Sequence, residues 1–69
     1  MEKSIINVKG MSCNHCVTAI KKAVNELTGI GSVNVDLEKG IVTVEFNNSL
    51  VTLTKIKHII EEEGYDVVE

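Results

Sequence analysis

The chain predicts an α+β fold in which the elements run βαββαβ. Three observations lead there. Four stretches are β-branched or alternate between apolar and polar residues. Two others repeat apolar residues at helical spacing. Glycines stand at the joins.

The first strand covers residues 4–9, which are β-branched and alternate from Ile6 to Val8, and Gly10 ends it. Val17, Ile20, Ala23, Val24 and Leu27 recur at helical spacing, with Lys21, Lys22 and Asn25 on the other face. This helix runs from about residue 14 to Leu27, and Gly29 stops it. Val33, Val35 and Leu37 alternate with Asn34 and Asp36, which marks a half-buried strand. Val42, Val44 and Phe46 alternate with Thr43 and Glu45, which marks another. The loop Glu38-Lys39-Gly40 between them places glycine where a hairpin needs positive φ. Thr52 is positioned to cap a second helix whose apolar face is Leu53, Ile56, Ile59 and Ile60. Lys55 occupies the place where a capping box needs Glu. Gly64 ends that helix, and residues 65–68 form a short last strand. The simplest closed solution is a ferredoxin-like sandwich: a four-stranded antiparallel sheet with two helices on one face.

Composition limits what such a domain does. With 69 residues, no proline and no low-complexity segment, the chain is expected to form a single domain over residues 1–69. A chain of this size buries only about 60% of its unfolded surface. Aromatic residues make up 3%, so the core falls to Ile, Val, Leu and Ala. Ten acidic and seven basic residues give a formal charge of −3, which argues against a nucleic-acid partner. Apolar runs fall far short of the roughly 20 residues of a membrane span, and no signal-like segment opens the chain. If Met1 is the true start, a cytoplasmic location is expected.

Chemistry concentrates in Gly10-Met11-Ser12-Cys13-Asn14-His15-Cys16, which joins the first strand to the first helix. Cysteines at i and i+3 across a helix start aim both sulfurs at one point. The unpaired N–H groups and partial positive charge there favour thiolate over thiol. In a cytosolic setting such a pair points to metal binding or catalysis rather than to a structural bridge. Two thiolates without a third strong ligand suit a soft ion that accepts low coordination, and thiolate selects Cu(I). A structural zinc site wants four ligands. His15 lies between the cysteines and points away from the site they share, and His58 lies among Lys57, Glu61 and Glu62 on the second helix. A thioredoxin-like dithiol is the competing reading of Cys-x-x-Cys, against which stand the short chain and the lack of proline. Two-coordination leaves room for a third sulfur, so transfer by stepwise ligand exchange is open to the site. So is a copper-dependent homodimer.

The motif resembles the signature of the heavy-metal-associated domain family, Gly-Met-x-Cys-x-x-Cys. The resemblance continues through Gly29-Ile30, the Val33-x-Val35-x-Leu37 strand and Gly64-Tyr65-Asp66. It is closest to the free-standing bacterial copper chaperones of that family. It implies that Cys13 and Cys16 bind Cu(I), and that the domain delivers the ion to related domains of a copper-transporting P-type ATPase. It further implies that Met11 packs under the loop without ligating and that Tyr65 lies near the metal. A metal-binding domain excised from such an ATPase is the alternative. A chain opening with Met1 and ending one strand after Gly64 favours the free chaperone. No enzymatic activity is expected in either case. Glu61, Glu62 and Glu63 read as a solvated helix face, and His15 as a solvated residue that can tune the thiolates.

Overall fold

A computed structural model describes residues 1–11 and 14–68. Its elements are β1 (Glu2–Lys9), α1 (Asn14–Asn25), β2 (Ile30–Asp36), β3 (Ile41–Phe46), α2 (Leu53–Glu62) and β4 (Asp66–Val68). The strands form one sheet in the order β2-β3-β1-β4, and every neighbouring pair is antiparallel. This is the expected ferredoxin-like βαββαβ architecture.

Period-two alternation sorts β1 into an inner set, Ile6 and Val8, and an exposed outer set, Lys3, Ile5, Asn7 and Lys9. Val42, Val44 and Phe46 of β3 and Val33 of β2 share the inner face. Ile20 and Val24 of α1 and Ile56 and Ile60 of α2 join the same cluster, so both helices cover one side of the sheet. Ile20, Val24, Ile56 and Ile60 are fully buried, and a fully buried side chain of this kind contributes roughly 1.5–3 kcal/mol.

Element ends in β1, β2, α1 and β4 differ from the sequence expectation, β4 starting at Asp66 rather than residue 65. β1 starts at Glu2 rather than residue 4, because it is a central strand and β3 pairs it from Glu2↔Phe46 onward. β2 runs from Ile30 to Asp36, and Leu37 belongs to the hairpin turn. Its register shifts between Ile30 and Ser32, leaving Gly31 as the extra residue of a bulge. Ile30 and Val33 are three apart and a regular strand would place them on opposite faces. The bulge lets both meet the core. α1 ends at Asn25, after which Leu27 N–H donates to the Val24 carbonyl at 3.0 Å and tightens the turn. Leu27 still packs against the core.

The turns carry the chemistry expected of them. Between β2 and β3, Lys39 N–H donates to Asp36 Oδ1 at 3.1 Å and Gly40 adopts φ +66°. Thr52 caps α2: Lys55 N–H donates to its Oγ1 at 3.2 Å. The charges on α2, however, oppose its dipole at both ends. Lys55 sits in the first turn, where no acidic residue is present, and the last turn holds Glu61 and Glu62 but no basic residue. Lys55→Glu completes a capping box with Thr52 and reverses the unfavourable charge. It is expected to add about 1 kcal/mol of stability, read as a higher urea midpoint at unchanged slope.

Candidate metal centre

β1 runs toward one pole of the molecule, and Gly10 turns the chain there toward the start of α1. Gly10 has φ +94°, a left-handed conformation that side chains resist. A Cβ built on it would stand 3.7 Å from Tyr65 Cδ1, so the tyrosine ring covers this turn. Met11 is half-buried and packs against the core cluster. It thus ties the end of this turn to the core. The α2–β4 connection at Gly64 reaches the same pole, with φ +99°.

Cys16 is the third residue of α1 and lies in its first turn. That places it where the positive end of the helix dipole favours an anionic sulfur. Cys16 is only 9% exposed. The cause is helical spacing. Cys16, Ile20 and Val24 follow one another at i, i+4 and form the buried stripe of α1, while Val17 is only half-buried. Cys13 lies outside the described residues.

His15 is exposed on α1. His58 is 58% exposed on α2, with Nε2 3.7 Å from Glu62 Oε1 at i+4. Among the described residues, no group of three or more His, Cys, Asp or Glu side chains converges on a point. A surface groove of about 330 Å³ lies at the opposite pole, between the end of α1 and the start of α2. Its lining, which includes Leu27, Leu50, Val51 and Lys55, offers no metal-ligating group. Among the described residues, no helix is long and apolar enough to cross a membrane.

The positive φ of Gly10 was not anticipated, although a glycine directly between a strand and a Cys-x-x-Cys run was the available signal. Tyr65 near the metal loop was expected from the family resemblance, and its ring beside Gly10 agrees with that; no local pattern encodes a contact between residues 55 positions apart.

The matching family model extends this picture to the whole domain. Residues 5–66 match the heavy-metal-associated domain, and the chain belongs to that family. Within it, the chain is 46% identical to the copper chaperone CopZ of Staphylococcus aureus over 68 residues, covering 99% of this chain and all of that protein. The solved structure of a CopZ metallochaperone superposes with a TM-score of 0.95 at 45% identity, covering 97% of this chain and 100% of that one. A copper-binding domain from the P-type ATPase HMA7 superposes at 0.91 with 28% identity, covering 100% and 96%.

Proposed function

We propose that this chain is a cytoplasmic copper chaperone, a single domain over residues 1–69. Its Cys13 and Cys16 thiolates bind Cu(I) as cargo and pass it to a copper-transporting P-type ATPase. The observation that carries the reading is the likeness to CopZ over the full length of both chains. The site's chemistry agrees. Cys16 stands at a helix start where thiolate is favoured, within a run that offers two soft sulfur ligands.

Ligand exchange follows from low coordination. A partner thiolate adds to the two-sulfur site, one original sulfur leaves, and a second exchange completes the transfer. The bare ion is never released to water. An acceptor of the same fold, with sulfurs on an equivalent loop, makes the exchange nearly even in energy. The likeness to a P-type ATPase copper-binding domain supports an acceptor of that kind. The same likeness favours, as a second reading, a domain belonging to such an ATPase. The higher identity to CopZ, 46% against 28%, favours the chaperone. The cysteines here carry cargo and need no turnover.

A competition titration of Cu(I) and Zn(II) against the reduced protein tests the reading. About one Cu(I) per chain is expected to bind and to displace Zn(II), because two thiolates satisfy the softer ion and leave zinc short of ligands. Retention of Zn(II) in the presence of equimolar Cu(I) would overturn it.

A further inference from the structure

The last turn of α2 lies between two fixed points. Behind it, Ile60 is fully buried in the core. Ahead of it, Tyr65 packs against the core, with its ring over Gly10 at the base of the metal loop. The residues between, 61–64, are all exposed. They bury no apolar side chain, and what holds them is backbone hydrogen bonding in contact with solvent. Gly64 N–H donates to the Glu61 carbonyl at 3.0 Å, and Glu63 N–H donates to Ile59 at 3.2 Å.

Electrostatics work against the turn. Glu61, Glu62 and the capping Glu63 place carboxylates at the negative end of the helix, and no basic residue stands in its last turn. His58, 3.7 Å from Glu62, offsets this only in its charged form, and Lys57, one turn before Glu61, and Lys22 of α1, which lines a groove with Glu63, offset part of it. Segments with little buried surface and solvent-exposed backbone bonds open at free energies well below that of global unfolding.

We propose that residues 61–65 open as a unit, and that each opening lifts Tyr65 from Gly10 and loosens the base of the metal loop. The glutamates set how often this happens. Under the function proposed above, on which this part rests, the opening is the step that lets an incoming thiolate reach the metal. α2 thereby controls the lability of the cargo through its charge rather than through any ligand.

The test is a chain carrying Glu61→Gln, Glu62→Gln and Glu63→Gln, compared with the parent in amide hydrogen exchange of the reduced, metal-free protein. Removing three carboxylates from the helix end is expected to slow exchange at positions 63, 64 and 65 by about three- to tenfold. Gly10 and Met11 should slow with them, while Val42 and Val44 report any global change. In the Cu(I)-loaded protein, transfer to an anionic chelator should slow by a similar factor. Loss of negative charge alone would speed the approach of such a chelator, so the sign separates the two effects. Unchanged exchange at positions 63–65 would overturn the proposal, as would slowing there that Gly10 and Met11 do not share. A transfer rate that rises would overturn the gating of metal release. Failure to bind Cu(I) at all would count against the proposed function, and the exchange data would still decide whether the segment opens and is coupled to Gly10.

Discussion

Cys13→Ser and Cys16→Ser are each expected to abolish tight Cu(I) uptake. A hydroxyl is a hard, neutral donor at neutral pH and does not replace a thiolate for a soft ion. Losing a group that merely hydrogen-bonds to a ligand costs roughly 10–100-fold in metal affinity, and loss of the ligand itself should exceed that. The two variants should differ in stability. Cys16 is nearly buried on the stripe of α1 that continues through Ile20 and Val24, so serine there buries a hydroxyl, at a cost of roughly 1–3 kcal/mol. Cys16→Ala keeps that position apolar and still removes the sulfur, which separates metal loss from unfolding. Chelator competition for affinity and urea denaturation of the apo protein provide the two readouts. Unimpaired Cu(I) binding by either cysteine variant would sink the assignment of the ligand pair.

Gly29→Ala should be the most damaging single-methyl change in the scaffold. Gly29 links α1 to β2 with φ +94°, and its carbonyl accepts a hydrogen bond from Asn47 N–H at 2.8 Å. A Cβ there would stand 2.7 Å from Leu50 Cβ and 3.4 Å from Val51 Cγ1. Two costs combine: about 1–2 kcal/mol for the left-handed conformation and about 1–3 kcal/mol for the overlap. For a chain of this size the sum lowers Tm by roughly 10–40 °C. Gly64→Ala is the control. It has φ +99° but no heavy atom within 4 Å of the added methyl, so it incurs the conformational cost alone. Equal melting temperatures for the two variants would show that Leu50 yields freely.

The element order and most of the inner face were legible in the sequence because they follow from local periodicity. Ile6, Val8, Val42, Val44 and Phe46 alternate, and Ile56 and Ile60 stand one helical turn apart. Thr52 and Gly40 were readable for the same reason, since caps and hairpin turns have short signatures. The bulge at Gly31 was not, because it arises from β3 having to satisfy Ile30 and Val33 together. At the site, the motif announced its sulfur chemistry but not the burial of Cys16. That burial was nevertheless encoded: counting back by four from Val24 and Ile20 reaches Cys16, one residue before Val17, the first apolar residue of the helical pattern. The contact between Tyr65 and Gly10 needed the closed fold, which brings the start of β4 beside the end of β1.

The two outer strands of the sheet have a bearing on the company this protein keeps. β4 is three residues long, and β2 is interrupted at Gly31. Long, regular outer strands invite other strands to zip alongside them, and short or kinked ones do not. A carrier whose proposed recipient shares its own architecture meets near-copies of itself as a matter of routine. With both margins of the sheet made poor templates, such meetings are left, under the proposed function, to the pole of the candidate metal loop, where contact would last only as long as a shared ion holds the two molecules together.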